Sequence, residues 1–349
     1  DDLTITLVDA VNVDVDSVVG VNFNSTTSDV SESQARSSLE DLSTDTAGPI
    51  KVVSVGGSLT IDGGSDSVGV SAGGSGDVLL GSAQDVTVNA DVVSGSGNIT
   101  LDAANDLSVN AAVSTAGAGT VYLVAGNDVA VNDSLTTLAG DILVDAKANL
   151  TQDATITSGS GDVGLIAGGS LDQTSSGDIN TGSDVLLEAD SAWTMAGDAV
   201  ISATGNVVGH VLSGDATLGL INATNVGLTA SGSIVDGNDG SLNVSSTALS
   251  LVSENGLIGG ADSLNGNSDE NVNALDIAVE SLAASSDSGI YISEADDLTI
   301  TLVDAVSVDV DSVVRVNFDS TTSGVSEGQF NSSLEDLSTD TAGPIKVVS

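Results

Sequence analysis

The chain has 349 residues, and its 50 Asp and Glu residues against 5 Lys and Arg residues give a formal net charge of −45 at pH 7. This charge argues strongly against binding to nucleic-acid phosphates and disfavours docking to an anionic membrane surface. Hydrophobic residues make up 40% of the chain but aromatic residues only 2%, so any core must consist mainly of Val, Leu, Ile and Ala. The chain has no Cys, which excludes disulfide and thiolate chemistry.

The first and last 54 residues are nearly identical. Residues 1–54 and 296–349 share 47 of 54 positions at an offset of 295 residues, and both copies end in DLSTDTAGPIKVVS. We therefore interpret residues 1–295 as one long tandem repeat and residues 296–349 as the start of the next. We expect both ends of the sequence to lie inside a longer array, with any export or anchoring signal outside it.

A shorter period runs inside the long repeat. The motif G-[DN]-[VI]-x-[LV] recurs at steps of 21, 22, 21 and 21 residues, once with one substitution, and begins at Gly76, Gly97, Gly119, Gly140 and Gly161. Two further short segments follow each motif. Within all three segments apolar and polar residues alternate, and Gly, Asn, Asp or Ser separates one segment from the next. An alternation with period two, punctuated by turn residues, predicts three short β-strands per unit.

Stacking of these units predicts the fold. Three short strands cannot bury their apolar face alone, but stacked coils share a continuous core. We predict an all-β parallel β-helix, or β-solenoid, of three-strand coils about 4.8 Å apart. Two inward ladders are Val78, Ile99, Val121, Ile142 and Val163, and Leu80, Leu101, Leu123, Val144 and Leu165. Gln152 and Gln173, one coil apart on an inward position, should hydrogen-bond to each other because buried amides need partners.

Two interruptions are expected in the solenoid. Residues 1–54 start the repeat and contain an excursion over 18–50, residues 55–253 form the regular solenoid, 254–275 form a Gly/Asn-rich loop excursion, and 276–295 return to the solenoid. Within the first excursion, residues 31–43 place Ala35, Leu39 and Leu42 at helical spacing, so a short helix and an irregular loop are equally compatible with the sequence. At 21 residues per coil the long repeat holds at most about 14 coils, a rod of about 65 Å.

The segments GNITLDAANDLSVNAAVSTAG (97–117) and GDILVDAKANLTQDATITSGSGD (140–162) resemble the repeats of filamentous haemagglutinin-like proteins, which are large repetitive bacterial surface adhesins. The resemblance covers residues 56–235 and rests on the period and the turn pattern. It implies a right-handed parallel β-helix and an extracellular location at the cell surface. Because many solenoid surface proteins share these features, the resemblance informs the fold more than any partner.

A calcium site is one candidate function for the alternating acidic residues near each end. Asp14 and Asp16 alternate with valines, so they lie on one face of a strand, and Asp309 and Asp311 repeat the arrangement. Carboxylate oxygens are the ligands that Ca²⁺ prefers, so these four residues are our candidate metal ligands. A solvated acidic face explains the same pattern without a metal, and no other cofactor is required.

An outward-facing row of apolar residues is the candidate contact surface. On the first strand of the coils the apolar outward positions are Leu79, Tyr122, Leu143, Leu186 and Val208, which we call the apolar stripe. Outward positions on the second strand are mostly polar. A contiguous exposed apolar patch indicates an interaction surface, here lateral contact between rods. Alternatively, a segment such as 18–50 covers the stripe within the chain.

No set of residues predicts catalysis. The basic residues and the single histidine, which are Arg36, Lys51, Lys147, Arg315, Lys346 and His210, form no cluster in the sequence. A carbohydrate-active β-helix enzyme would need such a cluster beside carboxylates, so we expect no enzyme activity.

The sequence therefore favours a structural role. We expect a segment of a giant tandem-repeat surface protein, an extracellular, rigid and acidic β-solenoid filament. Its expected partners are identical repeat units joined end to end and other rods bundled laterally, with no nucleic acid and no membrane insertion. The alternative is an adhesin that binds a host, cell or carbohydrate ligand through its loop excursions.

Overall fold

A parallel β-solenoid of about ten turns is the body of the protein. The structure is a computed structural model that describes residues 2–5, 11–21, 27–36, 41–260, 273–341 and 343–348, with only the backbone described for 11–21 and 27–36. Every regular element in these residues is a β-strand, and no helix that could cross a membrane occurs among them. The predicted all-β solenoid is confirmed.

The strands are short, mostly of three to five residues in the regular coils. In chain order they are β1 (Leu3–Ile5), β2 (Val11–Val21), β3 (Thr27–Arg36), β4 (Leu42–Thr44), β5 (Ile50–Ser54), β6 (Leu59–Ile61), β7 (Val68–Ala72), β8 (Val78–Ser82), β9 (Val86–Val88), β10 (Asp91–Ser94), β11 (Ile99–Ala103), β12 (Leu107–Val109), β13 (Val113–Thr115), β14 (Val121–Ala125), β15 (Val129–Val131), β16 (Leu135–Thr137), β17 (Ile142–Ala146), β18 (Leu150–Gln152), β19 (Ile156–Ser158) and β20 (Val163–Ala167). They continue as β21 (Ser170–Gln173), β22 (Ile179–Thr181), β23 (Val185–Ala189), β24 (Ala192–Met195), β25 (Val200–Ala203), β26 (Asn206–Val211), β27 (Ala216–Leu218), β28 (Leu220–Asn222), β29 (Asn225–Ala230), β30 (Ile234–Asp236), β31 (Val244–Ser253), β32 (Leu257–Ile258), β33 (Leu275–Ser286), β34 (Gly289–Glu294), β35 (Thr299–Ile300), β36 (Val306–Val316), β37 (Thr322–Asn331), β38 (Leu337–Thr339) and β39 (Ile345–Val348).

Parallel pairing between successive coils divides the rod into three faces. Face A consists of β5, β8, β11, β14, β17, β20, β23, β26 and β29, face B of β6, β9, β12, β15, β18, β21, β24, β27 and β30, and face C of β4, β7, β10, β13, β16, β19, β22, β25 and β28. Near the end of the rod, β31 and β33 are long enough to run from face C around the corner into face A. Each strand thus pairs with its equivalent one coil away, as the 21-residue period predicts.

The two predicted inward ladders are confirmed. Ile99 lies opposite Val78 on one side and Val121 on the other, and Leu101 lies between Leu80 and Leu123. All ten ladder residues are fully buried in one continuous core that runs the length of the rod. β-Branched and Leu side chains suit this core because each packs against a near-copy of itself in the next coil.

The predicted glutamine pair is also confirmed, and it is longer than expected. The Nε2 of Gln173 donates to Oε1 of Gln152 at 2.9 Å, and the indole N–H of Trp193 donates to Oε1 of Gln173 at 2.8 Å. At the other end, Nε2 of Gln152 donates to the backbone oxygen of Asp178 at 2.9 Å. The three buried side chains form one connected chain of hydrogen bonds, so none of them bears the cost of an unpaired buried amide.

Asp and Asn at the corner before face A bind the backbone of the next coil. The carboxylate of Asp77 accepts the N–H of Asn98 at 2.8 Å, and the carboxylate of Asp141 accepts the N–H of Asp162 at 2.9 Å. The corner before face B repeats the pattern, since Asp128 accepts the N–H of Asn149 at 2.9 Å. From the sequence these stacked carboxylates are expected mainly to repel one another, whereas here each satisfies a backbone donor that the strands leave unpaired.

The glycine that opens each motif allows close contact between coils. A Cβ on Gly97 would lie 2.2 Å from the backbone oxygen of Gly76, and a Cβ on Gly119 would lie 2.0 Å from that of Gly97. From the sequence, left-handed backbone is the expected reason for glycine at these corners. Neither residue has a left-handed φ, so the reason is instead the lack of space for any side chain.

The excursion predicted over 18–50 is an antiparallel β-hairpin, so both the loop and the short helix are wrong. β2 pairs with β3 to form what we call the first hairpin, and β36 pairs with β37 to form the second hairpin. Residues 31–36, expected to start the helix, belong to β3, and residues 42–44 form β4 in the solenoid. In β2, valine alternates with polar residues, which favours a strand that needs a pairing partner. In residues 31–43, only three apolar residues have helical spacing, and the many serines are weak helix formers. Residues 37–40 lie outside the described residues.

Part of the second predicted excursion, 254–275, belongs to the solenoid. β32 (Leu257–Ile258) pairs with β30 and β34 and so continues face B, and β33 resumes the solenoid at Leu275. Residues 261–272 lie outside the described part of the chain. The predicted return to the solenoid over 276–295 agrees with β33 and β34.

Candidate interaction surface

The second hairpin lies on the outer side of face A. Its strand β36 alternates buried valines with exposed polar residues and contacts β11, β14, β17, β23, β26 and β29. The buried valines are Val306, Val308, Val310 and Val313. They pack on Tyr122, Leu143, Leu186 and Val208 in a second hydrophobic cluster that is separate from the rod core. The apolar side of the amphipathic strand β36 therefore packs on apolar residues that follow one another across the coils of face A.

The second hairpin buries most of the predicted apolar stripe. Tyr122 is 4% exposed, and Leu79, Leu143, Leu186 and Val208 are fully buried. Four of these five residues are covered by the second hairpin, so within this chain the stripe is an intramolecular contact. The covering strand β36 is the second copy of residues 11–21. Only the end of that strand falls within the segment 18–50 that we expected to be able to cover the stripe.

Two glycines on the outer side of face A shape the contact. A Cβ on Gly164 would approach Val310 to 3.3 Å, and a Cβ on Gly227 would approach the Cβ of Asn331 to 3.0 Å. The missing side chains leave hollows that the hairpin fills, which is close packing of the kind found in protein interiors.

Backbone donors of β36 bind side chains of the rod. The N–H of Val316 donates to Thr100 Oγ1 at 2.9 Å, and the N–H of Val314 donates to Thr120 Oγ1, also at 2.9 Å. The N–H of Ser312 donates to Asp141 Oδ2 at 3.1 Å. Burial raises the pKa of the Asp141 carboxyl, although its hydrogen bonds and the nearby charges act on it as well. These bonds fix the position of β36 along the rod as well as its contact with the stripe.

Charged and polar side chains anchor the ends of the hairpin. Nη2 of Arg315 lies 2.5 Å from Oδ2 of Asp102, and the guanidinium lies 6.0 Å from the centre of the Tyr122 ring. Burial, with a smaller effect of nearby Asp145, raises the pKa of Tyr122 to about 12. On β37, Gln329 donates to Glu188 at 2.6 Å, and Oδ1 of Asn331 lies 2.9 Å from Nε2 of His210. In the sequence Arg315 and His210 are isolated from other basic residues, and no motif connects them to Asp102 or Asn331.

The candidate calcium ligands lie away from this contact. Asp309 and Asp311 are exposed on β36, on the strand face opposite the buried valines, and the hydroxyl of Ser312 donates to Asp311 at 3.0 Å. Asp14 and Asp16 lie on β2, whose side chains are outside the described part. No group of three or more potential metal ligands occurs among the described residues. Calcium at these four residues stays a prediction from the sequence, and a chelator that leaves the melting temperature unchanged would remove it.

A shallow groove follows the outer side of face C. It has a volume of about 330 Å³ and is lined mainly by uncharged hydroxyl and amide side chains. Its outward-facing lining includes Thr157, Asn180, Ser202 and Asn222, whereas Thr181 is buried and its hydroxyl donates to the backbone oxygen of Gly161. Such groups can bind a hydroxyl-rich ligand by hydrogen bonds.

Comparisons of the chain with protein-family models, with curated proteins and with solved structures found no match. The resemblance to filamentous haemagglutinin-like proteins therefore stays an expectation from the sequence.

Proposed function

We propose that this chain is a structural rod segment of an extracellular tandem-repeat filament, without catalytic activity. One observation carries the proposal: the hairpin of the second repeat lies across the first repeat from β11 to β29. This contact bridges the end of one long repeat and the start of the next. A rod with a continuous core and such a bridge resists bending where two repeats meet, which is what a load-bearing filament requires.

The surface chemistry supports the same role. The net charge of −45 keeps rods soluble and separate, and salt or divalent cations that screen it would let them approach one another. The absence of Cys makes the fold independent of the redox state of its surroundings. The extracellular and cell-surface location rests on the sequence resemblance and is part of the proposal. The bundling of rods, through cations that screen the acidic surface, is likewise part of the proposal.

Imaging of two joined repeats tests the structural role. Residues 1–349 followed by a second copy of 55–349 contain one complete internal junction. We expect electron microscopy to show a straight particle whose length grows by about 4.8 Å for each added turn. The V308D/V310D variant, which places two carboxylates against the apolar stripe, should show a bend at the junction. Straight particles for both proteins would contradict the bridging role of the hairpin, and beads on a flexible string would contradict the rod.

The groove on face C favours a second candidate, an adhesin that binds a carbohydrate. A glycan array probed with the labelled chain tests this function directly. Binding that is lost in T157A/N180A and kept in T151A, a matched change on face B, would support the adhesin. If no glycan bound, the groove on face C would no longer support an adhesin function.

A further inference from the structure

The sequence IKVV forms a strand twice, and the two copies of this strand stack on different faces of the rod. The first copy lies in β5, where Ile50 is opposite Val78 on face A. The second copy is β39, where Ile345 is opposite Ile290 of β34. Because β34 continues face B through its pairing with β32, the second copy lies one face further around the rod than the first.

The second copy stacks on face B in the same way as any coil stacks on the one before it. The N–H of Ile290 donates to the backbone oxygen of Pro344 at 2.9 Å, which is the bond that joins a strand to the corner of the next coil throughout the solenoid. A Cβ on Gly343 would lie 2.2 Å from the backbone oxygen of Ser288, the same close approach as at Gly97. The pairing of β39 with β34 is therefore ordinary coil stacking.

The position of the IKVV strand determines where an apolar stripe lies. Above β5, the strands β8, β11 and the later strands of face A stack in sequence, and the second hairpin covers this face from β11 to β29. In the tandem array that we propose, the equivalent of β8 in the next repeat pairs with β39 as β8 pairs with β5. The apolar stripe of the next repeat then lies on the continuation of face B.

We propose that the docked hairpins of successive repeats wind around the filament, each displaced by one face from the hairpin before it. The displacement follows the direction in which the chain passes from face A to face B. Because the rod has three faces, every fourth docked hairpin returns to the face of the first. The inference rests on the proposed array of repeats and goes beyond it, since a constant rotation per repeat gives the array a helical symmetry.

The winding determines which surface a neighbouring filament meets. The docked second hairpin exposes Asp309 and Asp311 together with the ring of Phe330, which is 62% exposed. Hairpins on one face only would give the filament one side with this chemistry and two sides without it, so filaments that associate through hairpins would pair side to side. Hairpins on all three faces give every side the same chemistry once in three repeats, so such filaments bundle in all directions.

Cryo-electron microscopy of a chain with three complete repeats tests the winding. Residues 1–349 followed by two further copies of 55–349 form three rod bodies, each followed by the hairpin of the next repeat. Thr151 occupies the outward position of β18 on face B, and the chain has no Cys, so T151C in each repeat places one gold-maleimide label on each body. We expect the three labels on three different faces of one traced stack of strands, and each docked hairpin displaced by one face from the previous one.

The outcomes separate this inference from the proposed rod. Three labels on the same face of a straight particle would overturn the winding and leave the rod intact, whereas beads on a flexible string would contradict the rod itself. V308D/V310D in every copy of the second hairpin releases the hairpins by placing carboxylates against the apolar stripe. The labels should keep their displacement in this variant, because the pairing of β39 with face B sets it. Labels that return to one face would overturn this origin of the winding.

Discussion

The two copies of the 54-residue segment join the rod on different faces although 47 of their 54 positions are identical. In the first copy, β4 pairs with β7 on face C and β5 pairs with β8 on face A. In the second copy, β38 pairs with the face A part of β33, and β39 pairs with β34 in continuation of face B. The same strands have thus moved around the rod by one face.

This difference shows that the faces of the solenoid make the same demand on a strand. Each face requires an apolar residue inward and a parallel neighbour one coil away. The unit of 295 residues includes a hairpin outside the coils, so its strands need not return to the same face. A short strand such as LST at 42–44 and 337–339 satisfies these demands on face C and on face A alike.

The seven differences between the copies have a clear distribution. All of them lie between Asn12 and Arg36, in the stretch of sequence that includes β2 and β3, and the flanking residues 1–11 and 37–54 are unchanged in the second copy. Two of the changed residues in the second hairpin, Arg315 and Asn331, make side-chain contacts with the rod. The parts that stack in the rod are therefore interchangeable, whereas the second hairpin carries side chains that fit the surface on which it lies.

The largest expected effect on stability comes from substituting a glycine in the rod, and a glycine substitution in the second hairpin is the comparison. Gly119→Val places a side chain where even a Cβ would lie 2.0 Å from a backbone oxygen, so coils must move apart, and we expect a loss of about 4 kcal/mol or more in the free energy of unfolding. Gly324→Ala in the second hairpin meets no atom within 4 Å and should change it by less than about 0.5 kcal/mol. Denaturant unfolding measures both. Equal losses would mean that hairpin and rod are under the same packing constraint.

Substitutions of Gln152 and Gln173 test whether the buried hydrogen bonds that join them to Trp193 stabilise the core as one unit. Gln173→Leu removes the acceptor of Trp193 and the donor to Gln152, and we expect it to cost about 2 kcal/mol in unfolding free energy. Gln152→Leu leaves the bond between Gln173 and Trp193 in place and should cost less. Thermal unfolding of the two single variants and the double variant measures the coupling. Additive losses would show that the two amides do not act as one chain.

The sequence predicted those parts of the fold that repeat at its own period. The ladder of Val78 and Ile99, and the pair of Gln152 and Gln173, join residues one coil apart, so a 21-residue alignment is enough to find them. The docking of the second hairpin joins Arg315 to Asp102, 213 residues away, and no period connects these positions. The valine alternation that predicts strands was present at 11–15, but a helical spacing at 35–42 competed with it over the same excursion.

The hydrogen bonds at the corners were missed for a different reason. The sequence showed that Asp and Asn stack at positions such as Asp77 and Asn98, and like charges suggested repulsion. Only the backbone geometry reveals that the N–H of each corner residue points at the side chain of the previous coil. A preference for Asp, Asn, Ser or Thr at one position of each unit, all acceptors for a backbone N–H, was the available signal.

Removal of one charged anchor should make the two hairpins more alike. Arg315→Gly gives the second hairpin the residue found at Gly20, and removes the ion pair with Asp102 and the contact with Tyr122. Because Arg315 is partly exposed, we expect a loss of only about 1 kcal/mol in the protection of β36 amides against hydrogen exchange, with the rod core unchanged. Asp309→Asn, an exposed change on the same strand, should leave this protection unaltered. Loss of protection in the rod core would contradict the independence of the hairpin.

The smallest expected effect is a dependence on pH at the contact between hairpin and rod. Burial raises the pKa of Asp141, which accepts the N–H groups of Ser312 and Asp162. A carboxyl with a higher pKa when folded binds more protons folded than unfolded, so its contribution to stability falls as pH rises from its ordinary value through the raised one. The general repulsion among carboxylates acts in the same direction, so the informative quantity is the difference between the wild type and Asp141→Asn. We expect the unfolding free energy of the variant to fall less steeply than that of the wild type as pH rises above about 4. Parallel profiles for wild type and Asp141→Asn would show that this buried carboxyl does not link the docking of the hairpin to pH.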